Sequence, residues 1–83
     1  MSEPQNLDPY VPIACARYSE YEQAILHRQR LRLRWHVTNV HYDQMVRPLD
    51  LKTDKHEEFL ICRNDAGEML TIRLDRIRSM KPV

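Results

Sequence analysis

Eighty-three residues are enough for one small domain and no more. Thirteen basic residues against twelve acidic ones leave a formal charge of +1, so no overall field draws the chain to nucleic acid or to an anionic surface. An apolar share of 42% excludes a wholly disordered chain, and two distant cysteines exclude a disulfide-built secreted scaffold.

Residues 1–11 carry Pro4 and Pro9 among polar residues, with Pro12 following, and read as an extended lead-in. No apolar run reaches spanning length, and "MSEPQNLDP" lacks the layout of a signal peptide, so a cytoplasmic protein with no membrane partner is expected. Residues 19–28, "SEYEQAILHR", are the one good helix candidate. Ser19 and Glu22 have the spacing of a capping box, and Tyr21, Ala24 and Ile25 make an apolar stripe.

From Arg30 the period changes to two. Leu31, Leu33, Trp35 and Val37 alternate with Arg30, Arg32, Arg34 and His36, the pattern of a half-buried strand. A second strand is expected over about Val40 to Val46, with Thr38-Asn39 as the hairpin turn, and Pro48 should limit its further pairing. Residues 57–64, "EEFLICRN", are apolar on both faces over Phe59 to Cys62 and suit a covered strand. A three-residue turn ending in a left-handed Gly67, the only glycine, should close the next hairpin. Alternation resumes with Leu70, Ile72 and Leu74, then breaks at Asp75-Arg76, so Ile77 returns to the core only across a bulge or bend. The whole predicts a single mainly β domain over residues 1–83. It is a small Sm-like or SH3-like barrel of four to five antiparallel strands over residues 30–80, with one helix capping an open end.

Chemistry-bearing constellations are sparse. His27, His36, His41 and His56 with Cys15 and Cys62 match no zinc-ligand spacing. No nucleophile elbow surrounds Ser19, and a single glycine builds no phosphate-cradling loop. The chain is therefore read as non-enzymatic, without metal or cofactor. Cys15 and Cys62 are both expected to pack as small hydrophobes, and Trp35 and Tyr42 to pack at the core or rim. The arginines offer the sharper choice. Arg30, Arg32 and Arg34 form a cationic stripe, continued from Arg28, that suits an anionic partner such as RNA. Glu57, Glu58, Asp43 and Asp50 lie close enough in sequence to neutralise it, which makes a solvated face the favoured reading.

Several stretches, in order, resemble the Rho-binding antiterminator (Rof) family: "YVPIAC" at 10–15, "YSEYE" at 18–22, "DLKTDKHEEFL" at 50–60 and "IRLDRI" at 72–77. The resemblance runs from about Tyr10 to Ser79. It implies an Sm-like barrel that binds the termination factor Rho at its primary RNA-binding region and blocks RNA loading. Carried over by position, Tyr18, Ser19, Glu20 and Glu22 at the helix start and Lys55 in the loop after the second strand would meet Rho. The protein would act as a monomeric inhibitor, with RNA a less favoured second partner through Arg30, Arg32 and Arg34.

Overall fold

The computed structural model describes residues 9–83, so the lead-in predicted over 1–11 lies outside the described residues as far as residue 8. One helix, α1 (Cys15–Leu26), precedes five strands: β1 (Leu31–Val37), β2 (Val40–Asp54), β3 (Glu57–Asn64), β4 (Met69–Arg73) and β5 (Ile77–Pro82). A 3-10 turn, Leu74–Arg76, separates β4 from β5.

The helix begins a full turn before the predicted start. Its N-cap is Ala14, without a side-chain cap, and Ser19 and Glu22 lie mid-helix, so the capping box is not formed. Packing overrides the local signal here. Tyr21 and Ala24 are buried in the core, and Ile13, Tyr18 and Ile25 pack against it, an apolar face that starts before Ser19. The C-terminus is a Schellman closure: Gln29 N–H donates to Ala24 O and Arg28 N–H to Ile25 O. Arg28 fills the left-handed position, at φ 54°, where glycine is usual.

Three turns set the registers. Thr38 and Asn39 both have positive φ, as a two-residue type I′ hairpin needs, and the turn pairs Val37 with Val40. Lys55 and His56 repeat this conformation between β2 and β3 without a glycine. Between β3 and β4, Gly67 takes φ 86° in the expected three-residue loop, and Asn64 Oδ1 accepts from the N–H groups of Ala66 and Glu68.

β2 runs well beyond Val46, against expectation. Its first half pairs with β1 and its second half with β3, and the register shifts between Pro48 and Asp50. Pro48 therefore sits where β2 has already passed the end of β1. The missing N–H has no ladder to serve on that side, and the bulge absorbs the bend.

The sheet order is β4-β3-β2-β1-β5. Among the described residues no ladder joins β4 to β5, so the predicted barrel is corrected to an open five-stranded antiparallel sheet. The 3-10 turn carries the chain from one edge strand to the other. It supplies the bend predicted at Asp75-Arg76, and the corner needs no closing hydrogen bonds. Leu31, Leu33, Val46, Leu60 and Cys62 are wholly buried on the inner face, with Trp35, Ile72 and Leu74 beside them. Each large apolar side chain contributes about 1.5–3 kcal/mol by leaving water. Burial pushes the Cys62 thiol up to about 11, so it stays protonated at neutral pH. Cys15, expected to be packed, is exposed on the first turn of α1. No helix among the described residues is long and apolar enough to cross a membrane.

The stretch before α1 packs over a buried arginine. Arg73, 9% exposed, gives two hydrogen bonds to Asp75, 2.7 Å from Nε to Oδ1 and 2.9 Å from Nη2 to Oδ2. Glu57 lies 3.8 Å away, and the Tyr10 ring covers the guanidinium with its centroid 5.7 Å from Cζ. Val11 N–H donates to Asp75 Oδ2, and Tyr10 Oη–H donates to Glu58 Oε1. Burial opposes ionisation of Asp75, but the bonds from Arg73 and Val11 outweigh it and hold the carboxyl below its usual range.

Candidate nucleic-acid interface

The side of β1 facing away from the core carries the arginine row. Leu31, Leu33 and Trp35 point inward, which turns Arg32, Arg34 and His36 outward together, as alternation on one strand demands. The two-residue turn at Thr38-Asn39 then fixes what stands opposite: Met45 beside Arg32, Asp43 beside Arg34 and His41 beside His36. On the other flank β5 sets Lys81 opposite Arg32 and Ser79 opposite Arg34.

One carboxylate serves two guanidinium groups in this row. Arg32 holds Asp43 through a bidentate fork, 2.9 Å from Nε to Oδ1 and 2.8 Å from Nη2 to Oδ2. Arg34 reaches the same carboxylate only at 3.6 Å, and its side chain remains 63% exposed. The bonds from Arg32, reinforced by the charges of Arg32 and Arg34, hold the Asp43 carboxyl below its usual range despite some desolvation. Arg30, at the head of the row, is taken by Asp65, whose two carboxylate oxygens lie 2.8 and 2.9 Å from Nη2.

The far end of the row is concave. A groove of about 370 Å³ is lined by Arg34, Trp35, His41, Tyr42, Asp43, Arg78 and Ser79. Arg78 is the extra residue of a bulge where the β1–β5 register shifts. Its Nη1–H donates to Asp75 O at 2.8 Å, while Nη2 lies 3.5 Å from His36 Nε2. The His36 and His41 rings sit 5.0 Å apart and tilted, and Tyr42, partly exposed, stacks on buried Trp35 at 5.1 Å. Planar rings beside cations suit an anion that carries flat groups, which is the chemistry of unpaired nucleotides.

The other predicted site residues divide differently. Ser19 and Glu20 line a groove of about 400 Å³ between α1, Leu31, Met80 and Pro82, and Glu20 Oε1 pairs with Arg17 at 3.2 Å. Tyr18 and Glu22 line a separate groove against Asp50 and Leu51 of β2. Lys55 stands alone of these at the tip of the β2–β3 turn. The helix residues therefore do not converge on one acidic surface. Three of the four acids expected to neutralise the arginines are also engaged elsewhere. Glu57 approaches Arg73, Glu58 accepts from Tyr10, and Asp50 accepts from the N–H of Leu51. Asp43 does answer the row in part, together with Asp65, which was not among those four.

The sequence reading placed His36 on this face with the arginines but missed His41, Arg78, Ser79 and Lys81. His41 was legible, because a two-residue turn at 38–39 fixes the facing pairs. The β5 residues were not, because β1 and β5 are remote in sequence.

A family model described as the WYL domain matches residues 17–82, most of the chain. The chain belongs to the WYL domain family. No curated protein sequence matches it. Among solved structures, the proteasome accessory factor B/C (PafBC) of Arthrobacter aurescens superposes on this WYL domain with a TM-score of 0.75 and 23% identity. The match covers 86% of this chain and 12% of that one, so this WYL domain spans a small part of that protein's length. The likeness concerns the fold.

The family match overturns the Rho-binding antiterminator reading, and with it the role of Rho inhibitor. The stretches behind that resemblance were short and scattered over the segment before α1, α1 itself, the β2–β3 hairpin and the β4–β5 corner. The WYL domain match runs over residues 17–82 and takes in all of those stretches but the first.

Proposed function

We propose that this WYL domain is a non-catalytic, ligand-reading module in transcription control, and that its ligand is single-stranded nucleic acid held along the outer face of β1. WYL domains are found in transcriptional regulators. The observation that carries the ligand class is the shared carboxylate. Asp43 answers both Arg32 and Arg34, and Lys81 and Arg78 stand beside them without an ion pair among the described residues. A net cationic row lined by imidazole rings and ending in a groove offers backbone contacts and stacking surfaces together. Alternate outward residues on β1 lie about 7 Å apart, which matches successive phosphates of an extended strand.

Fluorescence anisotropy with a labelled single strand of about ten nucleotides, in DNA and RNA versions, tests this reading. The full chain should bind at low salt and weaken steeply as salt rises. Arg32→Gln with Arg34→Gln should lower affinity about tenfold or more, in line with losing two charged phosphate contacts. Absence of binding at low salt for both sugars contradicts the reading.

A further inference from the structure

A second cationic feature lies beyond that row. Arg47 on β2 and Arg63 on β3 are direct register partners, and both are exposed on the outer face. Continuing the Leu31–Val46 register by one residue sets Arg30 beside Arg47. Arg30, Arg47 and Arg63 thus form a transverse line across three neighbouring segments, meeting the β1 row at Arg30. Like charges directly opposite each other on a sheet are unfavourable unless something answers them. Asp65, in the turn that follows β3, is committed to Arg30. Arg47 Nη1–H donates only to the carbonyl of Arg28, at 3.5 Å, and Arg63 makes no side-chain hydrogen bond or ion pair among the described residues.

We infer that Arg47 and Arg63 form a phosphate clamp that takes the next backbone phosphate of the same bound strand, so that the nucleic acid turns at Arg30 and crosses β2 and β3. Facing residues on paired strands have Cβ atoms about 5 Å apart, and two guanidinium forks at that spacing bracket one phosphate through its non-bridging oxygens. The charge that opposes itself in the free protein is neutralised by the ligand. The path from Arg34 to Arg30 covers about 13 Å along β1, and two strand spacings from there to Arg63 add about 10 Å. That accommodates about four nucleotides, a footprint in the range of small single-strand modules. The inference rests on the reading of the β1 row as a nucleic-acid surface.

The test compares Arg47→Gln/Arg63→Gln with Arg32→Gln/Arg34→Gln on the full chain, using the same oligonucleotide of about ten nucleotides over a range of salt. Removing the clamp should lower affinity at low salt about tenfold and reduce the slope of log K against log salt by about 0.7, the value for one phosphate contact on a single strand. Arg47→Lys/Arg63→Lys should restore most of the slope, which a merely structural role would not explain. Arg63→Gln alone keeps the test valid if losing the Arg47 bond to Arg28 loosens the helix end. Unchanged affinity and slope in the clamp variants, with loss in the β1 variant, overturns the clamp and leaves the β1 row standing. Loss in the clamp variants alone overturns the row, and with it the path that turns at Arg30. No binding by the unmodified chain overturns both.

Discussion

Arg73 and Arg34 are the same residue type on two strands of one sheet, and they have opposite fates. Arg73 is 9% exposed, doubly bonded to Asp75, approached by Glu57 and covered by Tyr10. Arg34 is 63% exposed and touches a carboxylate that Arg32 already occupies. Arg73 therefore fixes the corner between β4 and β5 and ties down the segment before α1, whereas Arg34 is held open beside a groove. An arginine surrounded by its own acids is a structural member. One that shares an acid with a neighbour still has hydrogen-bond donors to give to a ligand.

The contrast breaks most visibly at the buried pair. Asp75→Ala leaves a buried guanidinium short of its main partner and should cost about 3 kcal/mol in urea unfolding. A cost under about 1 kcal/mol shows that Arg73 is not a structural anchor. The same pair governs acid behaviour. Asp75 titrates below its usual range in the folded state, so its stabilisation is fully present above the unfolded value of about 3.9 and is lost as pH falls through the lower folded value. Unfolding midpoints measured from neutral pH down to about pH 2 should fall steeply in that window. An Asp75→Asn variant, with no carboxyl to titrate, should show a shallower fall.

Smaller effects are expected on the outer row. Arg32→Gln with Arg34→Gln should leave the urea midpoint close to that of the unmodified chain while oligonucleotide binding drops, since exposed ion pairs stabilise little. A large loss of stability would erase the distinction between the two arginine classes. Asp43→Asn is subtler still. It should leave folding intact and tighten oligonucleotide binding several-fold at low salt, because the competing carboxylate charge is gone. Weaker binding would show that Asp43 orients the guanidinium groups for the ligand and does not compete with it.

Much of this contrast was legible in the sequence, and the part that was not has a physical reason. Period-two alternation placed Leu31, Leu33 and Trp35 inward and the arginines outward, because alternation is a property of the strand itself. Asn39 and Gly67 announced their turns through the backbone conformations they tolerate. The helix start was misplaced because Ser19 and Glu22 have the spacing of a cap, while the burial of Tyr21 and its neighbours set the true limits. The length of β2 was hidden by Pro48, whose cost vanishes only once β1 is known to end beside it. The open sheet, the β5 flank of the arginine row and the enclosure of Arg73 all depend on contacts between remote segments. Local pattern carries no information about those. The Rho-binding resemblance failed because it rested on short separate fragments, whereas the WYL domain match spans residues 17–82.

The central claim is that the outward face of β1 receives a single strand of nucleic acid. Backbone amide NMR of the isotope-labelled full chain, titrated with an unlabelled strand of about ten nucleotides, tests it residue by residue. Saturable shifts should gather at Arg32, Arg34, His36, His41 and Ser79, leaving the α1 groove around Ser19 and Glu20 still. Shifts confined to that groove, or none at ligand excess in low salt, would contradict it.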